Sequence, residues 1–201
     1  MHRRSMRAST RAHKDQAADV GGLEFRLAGP ADAGAVARLH ADSWRRHYRG
    51  AYSDAFLDGD VLDDRLAAWH ARLRATDAGS ATIVALAPEL VGFAHTVFDD
   101  DAAWGALLDN MHVCAQRQRR GVGSRLLALS AAAVAERGPR RGLYLWVLEQ
   151  NTAAQAFYAV HGGMRAGREA VTAPGGQPAR LVGAPAKLRY AWPRARLLSP
   201  G

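Results

Sequence analysis

The spacing of hydrophobic and polar positions changes several times along the chain, and each change marks a predicted element. Residues 23–27 alternate as a strand does, whereas residues 32–50 and 61–75 carry apolar side chains at helical spacing. Asp32 is the expected N-cap of the first helix and Gly50 its expected stop. The chain therefore opens with a strand that two amphipathic helices follow.

The middle of the chain changes to strand-like segments. Residues 81–87 and 90–98 are apolar and separated by a very short turn, which predicts a hairpin, and residues 107–115 predict the next strand. A helical apolar stripe then covers residues 124–138, and residues 142–150 predict a buried strand.

The last third supplies a short helix at residues 152–162 and a closing hairpin formed by residues 164–173 and 187–192. The resulting order is a strand, two helices, three strands, a helix, a strand, a helix and two strands. This order predicts an α/β (α+β) fold with a mixed, mostly antiparallel sheet and a central β–α–β unit.

Length and charge distribution suggest one domain with two tails. The chain has 201 residues, which is the size of a single domain. Residues 1–22 carry five Lys or Arg against two Asp and few large apolar side chains, which predicts a basic, flexible N-terminal tail. Residues 23–193 are the predicted domain, and residues 194–201 are the predicted C-terminal tail.

Composition narrows the class of protein. Hydrophobic residues make up 48% of the chain, no apolar run is long enough for a membrane span, and the basic N-terminus is not followed by the apolar core of a secretory signal. Cys114 is the single cysteine, so a disulfide scaffold is excluded. We expect a cytoplasmic protein with no membrane partner. The histidines and Cys114 show no metal-ligand spacing, so no metal is expected.

The formal net charge of +8 favours a partner that carries phosphate groups. All but Lys14 and Lys187 of the 27 Lys and Arg residues are arginine, and they are spread along the chain. This spread, and the lack of a helix-turn-helix or RNA-binding pattern, argue against nucleic acid and for a phosphorylated cofactor.

A glycine-containing loop at residues 118–124 precedes the helical stripe and has the properties of an anion site. The first amides of a helix lack intrahelical partners and its N-terminus is positive, while glycine allows close approach and positive φ. Gly121 and Gly123 stand here beside Arg119 and Arg120. The loop lacks the third glycine of a dinucleotide fingerprint and the lysine of a P-loop. A basic turn that merely caps a helix is the alternative.

The flanking residues resemble a known family. The segment Gln118-Arg119-Arg120-Gly121-Val122-Gly123 is similar to the acetyl-CoA motif Gln/Arg-x-x-Gly-x-Gly/Ala of the GCN5-related N-acetyltransferase (GNAT) superfamily. Downstream, a strand leads to Asn151, and a helix carrying Ala154 and Tyr158 ends at Gly162, which resembles the second family motif. A W-x-x-x-Y segment begins at Trp44. The resemblance extends over about residues 23 to 193.

The resemblance implies acetyl-CoA as cosubstrate, bound where the fourth and fifth strands splay apart. The pantetheine arm would pair with main-chain groups of the fourth strand, and the pyrophosphate would rest on the 118–124 loop. The implied cofactor-binding residues are Met111, His112, Val113, Gln118, Arg119, Arg120, Gly121, Val122, Gly123, Ser124, Asn151, Ala154 and Phe157. For Asn151, a strand-end or helix-capping role is an equal alternative.

The resemblance also implies direct attack of an amine on the thioester. Tyr158 is the expected general acid, since a phenol is protonated at neutral pH; core packing beside Phe157 is the alternative. Asp109 and Glu149 are equal candidates for the general base, because strand alternation places Asp109 on one face with Met111 and Glu149 ends the next strand. His112, His95 and a water chain are further alternatives for the base.

Trp44, Tyr48 and Tyr52 lie where the family's first helices line the acceptor pocket, although core packing explains them equally well. The acceptor amine and the oligomeric state stay open, with a homodimer as the common case for soluble enzymes. A non-catalytic acyl-CoA sensor on the same fold is the alternative function. Two positions depart from the family: Gly163 replaces an aromatic residue, which predicts a loosened next strand, and Ala115 replaces a proline.

Overall fold

A computed structural model describes residues 22–75, 78–138 and 141–198 of the protein. Within these ranges, seven strands form one sheet flanked by five α-helices. The strands are β1 (Glu24–Leu27), β2 (Ser80–Leu86), β3 (Leu90–Asp101), β4 (Gly105–Val113), β5 (Leu143–Leu148), β6 (Met164–Ala170) and β7 (Ala186–Trp192). The helices are α1 (Ala33–His47), α2 (Asp54–Asp58), α3 (Val61–Arg74), α4 (Val122–Arg137) and α5 (Thr152–Val160). No helix in the described part of the chain is long and apolar enough to cross a membrane. Most of the predicted N-terminal tail and the last three residues lie outside the described residues.

The strand order β1-β2-β3-β4-β5-β7-β6 confirms the predicted mixed sheet. Every neighbouring pair is antiparallel except β4 and β5, which are parallel and joined by α4. These two strands are in register only at Ala106 with Leu143 and at Leu107 with Tyr144. Beyond Leu107 they diverge, so a gap opens between their C-terminal halves.

Two glycines hold β4 and β5 together at the closed end of the gap. A Cβ on Gly105, whose φ is +90°, would lie 2.4 Å from the carbonyl oxygen of Gly142, and a Cβ on Gly142 would lie 2.5 Å from that of Trp104. Only glycine permits this approach of one backbone to the other. In contrast, β5 pairs with β7 over its whole length, from Leu143 to Leu148, and so leaves β4.

Helices cover both faces of the sheet. On one face, Val36 and Leu39 of α1 and Trp69 of α3 pack against Phe93. On the other face, Leu126, Leu127 and Val134 of α4 pack on the strands in a larger apolar cluster. Burial of a side chain of this size contributes roughly 1.5–3 kcal/mol, so these two layers are the main source of stability.

The alternation predicted for the fourth strand is wrong at one point. Asn110 is opposite His95 on β3, but Leu108 is opposite Thr96, so Asp109 is the extra residue of a β-bulge. A bulge reverses the face to which later side chains point. Asp109 therefore faces α3, whereas Met111 packs on the side of α4.

Short or local features account for the remaining differences from the sequence-based expectations. The five-residue helix α2 was not predicted, because its two buried side chains, Phe56 and Leu57, are too few to show the helical repeat of apolar positions. The predicted closing pair β6–β7 is present, but residues 171–185 join its strands as a long connection. This connection contacts the segment after α1, where the Val182 amide donates to the Ala51 carbonyl at 2.9 Å.

Gly163 is explained by a tryptophan from another strand. A Cβ at this position would lie 2.7 Å from Cζ2 of Trp192 and 2.9 Å from the carbonyl oxygen of Tyr158. The Trp192 indole is buried and donates to the His161 carbonyl at 2.8 Å. An aromatic ring from β7 thus occupies the space beside Gly163.

We predict that Gly163→Ala lowers the free energy of unfolding by about 1–3 kcal/mol, because overpacking forces Trp192 or the backbone to shift. Denaturant unfolding followed by tryptophan fluorescence measures the change. Gly29→Ala is the control, since a Cβ there meets no atom within 4 Å. Equal stability of the two variants would contradict this account of Gly163.

Candidate active site

The gap between β4 and β5 exposes a row of main-chain groups. Main-chain groups of alternate residues in a strand point to opposite neighbours. The Cys114 amide donates to Val91 on β3 at 2.8 Å, so the main-chain groups of Met111 and Val113 point the other way, into the gap. An extended ligand with amide groups can pair with this edge as an added strand.

The start of α4 lies at the C-terminal end of β4. The first intrahelical hydrogen bond of α4 runs from the Arg125 amide to the Gly121 carbonyl at 3.0 Å. The amides of Val122, Gly123 and Ser124 come before it and have no partner within the helix. Gly121 has φ +81°, and a Cβ there would meet no atom within 4 Å. Arg119 also has a positive φ, of 58°, which a non-glycine residue adopts only at an energetic cost. The loop thus presents amides to an open space.

Side chains from three elements meet beside this loop. A Cβ on Gly123 would lie 3.5 Å from the Phe157 ring of α5 and 3.8 Å from Val113 of β4. Gln118 donates from Nε2 to the Val113 carbonyl at 3.3 Å, and Arg120 is exposed. The structure therefore brings the predicted loop, the gap and α5 to one place.

Asn151 acts as the N-cap of α5. Its Oδ1 accepts the amide of Ala154 at 3.1 Å, which is the capping geometry that stabilises a helix by about 1 kcal/mol. Ala154 packs against the cluster beneath α4 and α5. Of the two roles considered for Asn151, the capping role is the one that the side-chain contacts show.

Tyr158 lies on the inner side of α5, with 8% of its surface exposed. Its ring contacts Phe157, Tyr190 and Trp192, at centroid distances of 5.3, 6.1 and 6.2 Å. Burial, and then the nearby Tyr48 hydroxyl, raise the pKa of Tyr158 above its ordinary value of 10.0. The phenol is therefore a proton donor throughout the neutral and moderately alkaline range.

Asp109 stands at the bulge, on the face opposite to α4. Its carboxylate pairs with Arg72 of α3 at 2.9 Å and accepts from Asn110 at 2.6 Å, and its side chain is 31% exposed. Burial raises the pKa of Tyr48 to about 12, and the Asp109 charge adds to this shift. Tyr48 thus interacts electrostatically with both Asp109 and Tyr158.

Glu149, the other predicted base, is paired on the surface. Arg168 donates to its carboxylate at 2.8 and 3.0 Å, and Arg165 lies 4.0 Å away. The hydrogen bond from Arg168 lowers the pKa of Glu149, so this carboxylate is a weaker base than a free glutamate.

The two histidines considered as bases lie on the α1 and α3 side. The ring of His112 packs against His40 at 4.5 Å, and its Nδ1 is 2.7 Å from the Ser43 hydroxyl. Burial, followed by the charges of His47 and Arg65, lowers the pKa of His112 to about 3. His95 is buried, with Nδ1 2.8 Å from the Thr82 hydroxyl. The main-chain groups of His112 point to β3 rather than into the gap.

Aromatic side chains predicted to face the acceptor form one cluster. The Trp44 ring lies 5.3 Å from that of Tyr48 and 5.1 Å from that of Tyr52, and Phe56 extends the stack. Trp44 and Tyr52 are buried, while Tyr48 is half-buried. Trp44 and Tyr52 thus belong largely to the core, as the alternative interpretation expected.

Partly buried charged side chains that the sequence patterns did not indicate lie beside this cluster. Asp64 pairs with Arg180 at 2.6 Å and with Arg65, whose guanidinium lies 4.3 Å from the centre of the Trp44 ring. Burial opposes ionisation, but the hydrogen bonds from Arg65 and Arg180 leave the pKa of Asp64 lowered. The carboxylate joins α3 to the β6–β7 connection, and only the folded chain brings these residues together.

His161, just after α5, was likewise not singled out. Its Nε2 lies 2.9 Å from the hydroxyl of Ser124 at the start of α4. Among the residues that the structure describes, no group of three or more His, Cys, Asp or Glu side chains is placed to hold a metal ion.

Comparison with known families agrees with this geometry. The sequence pattern of the acetyltransferase (GNAT) family matches residues 40–162, more than half of the chain. The chain therefore belongs to the acetyltransferase (GNAT) family, and membership implies an acetyltransferase activity. None of the curated proteins matches the chain with significant similarity.

Solved structures share the fold. The PaiA N-acetyltransferase from Thermoplasma acidophilum, in complex with coenzyme A, is 16% identical over 85% of this chain and 99% of that chain, with a TM-score of 0.62. The yncA protein from Salmonella typhimurium, with its cofactor acetyl-CoA, is 18% identical over 85% and 92%, with a TM-score of 0.58. An acetyltransferase of the GNAT family from Streptococcus pneumoniae is 22% identical over 85% and 98%, with a TM-score of 0.58.

Proposed function

We propose that this protein is an acetyl-CoA-dependent N-acetyltransferase that acetylates a primary amine by direct attack within a ternary complex. The observation that carries the proposal is the gap between β4 and β5, which opens next to the amides at the start of α4. Two of the structurally similar proteins were solved with coenzyme A or acetyl-CoA, which supports the same cosubstrate here.

The loop before α4 fits a diphosphate. Three amides without helical partners, the positive end of the helix dipole and the open space beside Gly121 favour a compact anion. Arg119 and Arg120 add positive charge on the same loop, and Ser124 adds a hydroxyl. We assign the coenzyme A pyrophosphate to this loop.

The exposed edge of β4 fits the pantetheine arm. Met111 and Val113 would pair with its amide groups through their main-chain atoms, and the Val113 amide would donate to the thioester oxygen. Gln118 would have to release the Val113 carbonyl for this pairing.

Bound acetyl-CoA supplies the electrophilic thioester carbonyl and the thiolate leaving group. Tyr158 holds the proton that the leaving sulfur requires, and its raised pKa keeps that proton in place until the reaction. The Asp109 carboxylate, which pairs with Arg72, would accept the proton from the amine, because it lies on the same side of the sheet as Trp44, Tyr48 and Tyr52 and its charge reaches Tyr48. Glu149 is the weaker candidate, since the hydrogen bond from Arg168 lowers its pKa and its carboxylate lies on the surface.

We predict that Gly121→Ala weakens coenzyme A binding at least about tenfold, because the new Cβ enters the space assigned to the phosphates. Isothermal titration with coenzyme A measures the affinity. Gly183→Ala is the matched control: it also has a positive φ, of +60°, and an open Cβ position, but lies in the β6–β7 connection. Wild-type protein that binds no coenzyme A would refute the proposed function.

Tyr158→Phe is expected to lower kcat by about 10²–10⁴-fold, the usual range for loss of a general acid, with little change in the affinity for coenzyme A. Because the pKa of Tyr158 is raised, this group should cause no loss of wild-type turnover between neutral pH and pH 10.0. Release of coenzyme A across a panel of primary amines gives the rates. Unchanged turnover in the variant would rule out the acid role, and wild-type binding without turnover would favour the acyl-CoA sensor.

Asp109→Asn should reduce kcat by at least about tenfold at neutral pH, because the amide cannot accept the proton. Glu149→Gln is the paired variant and should leave kcat within about twofold, since the Glu149 carboxylate is exposed and held by Arg168. Steady-state rates at saturating acetyl-CoA compare the two. The opposite ranking would assign the base to Glu149, and two unchanged rates would favour a water chain.

A further inference from the structure

The end of α5 is hydrogen-bonded to the start of α4 through two side chains. Nε2 of His161 lies 2.9 Å from Oγ of Ser124, a residue 37 positions earlier in the chain. Ser124 is also one of the three residues whose amides face the space assigned to the diphosphate. The contact therefore joins an ionisable ring to the proposed phosphate site.

The second ring nitrogen fixes the direction of this bond. Nδ1 of His161 lies 2.8 Å from the carbonyl oxygen of Phe157. A carbonyl only accepts hydrogen bonds, so Nδ1 carries a proton. In the neutral ring Nε2 is then an acceptor, and Ser124 must donate its hydroxyl proton to it. The Ser124 oxygen can then offer only lone pairs to a phosphate, which disfavours binding.

Protonation of the ring reverses this bond. Nε2 then donates to Ser124, and the Ser124 hydroxyl proton becomes free to donate to a phosphate oxygen. The added positive charge attracts the same anion. Phosphate binding and ring protonation therefore favour each other, as linkage requires.

In the described part of the chain, the His161 ring has no counter-ion. Its contacts are Ser124 on α4, the Phe157 ring at 4.2 Å and Trp192 of β7, which donates to the His161 carbonyl. Within residues 22–75, 78–138 and 141–198, no carboxylate is paired with the ring. The residue that follows Ser124 in the chain is the cation Arg125.

We propose that His161 is a positioning residue of the phosphate site, which directs the Ser124 hydroxyl and couples diphosphate binding to the uptake of a proton. This inference rests on the proposed function. It assigns to His161 a role in binding rather than in the chemical step, so its removal should raise the KM for acetyl-CoA more than it lowers kcat.

The test is isothermal titration of the full chain with 3′-dephospho-coenzyme A, which retains the diphosphate but lacks the phosphomonoester that itself titrates near pH 6. Titrations in buffers of different ionisation enthalpy give the number of protons taken up. In the wild type, proton uptake should accompany binding, and affinity should rise up to about tenfold as the pH falls from 8 to 6. In His161→Gln the uptake should disappear, and the affinity of the variant should change by less than about twofold over the same pH range. His70→Gln, on α3, is the control and should behave as the wild type.

Each outcome decides one question. Binding without proton uptake, or equal uptake in the wild type and in His161→Gln, would overturn the role of His161 and leave the proposed function intact. No binding by the wild type would overturn both. If His161→Gln does not fold, side-chain NMR of the wild type replaces it: the titration midpoint of His161 should rise when the ligand is added, and an unchanged midpoint would refute the proposal.

Discussion

The site depends on the divergence of two parallel strands. Strands β4 and β5 are held together by a close backbone contact at Gly105 and Gly142, and they share only two residue pairs before they part. Because β5 then follows β7, no described strand pairs with the main-chain groups of Met111 and Val113 on that side, where only the Gln118 side chain reaches the Val113 carbonyl within the described residues. Unpaired main-chain groups at the centre of a sheet are costly unless a ligand or water satisfies them. The constraint that shapes the sheet therefore also creates the edge to which we assign the pantetheine arm.

The environment widens the pKa difference that residue type already sets between the acid candidate Tyr158 and the base candidate Glu149. Burial raises the pKa of Tyr158, while an arginine on the surface lowers that of Glu149. Asp109 owes its position to the bulge in β4, which turns it towards α3 and the aromatic cluster of Trp44, Tyr48 and Tyr52. The two sides of the sheet thus differ: the unpartnered amides lie at the start of α4, and the Asp109 carboxylate lies with the aromatic cluster on the side of α3.

Local sequence patterns predicted the seven strands, the helices other than α2 and the loop before α4, because period and glycine placement are local properties. They also led to the correct family, since the two motifs lie on α4 and α5 beside the gap. They missed the bulge at Asp109, because one extra residue in a strand leaves no mark on composition. The ion pair of Asp64 with Arg180 and the hydrogen bond of Ser124 with His161 join residues far apart in the chain, so no local pattern predicts them. The need for glycine at position 163 likewise depends on a distant residue, because it is the Trp192 ring that leaves no room for a Cβ there.

The central claim is that the edge of β4 and the first amides of α4 together bind coenzyme A. Amide hydrogen exchange of the full chain, with and without coenzyme A, tests it residue by residue. The account predicts slower exchange at Met111 and Val113 and at residues 122–124, with little change at the amides of β1 and β2. Binding that leaves those five amides unchanged and protects another surface would contradict the account.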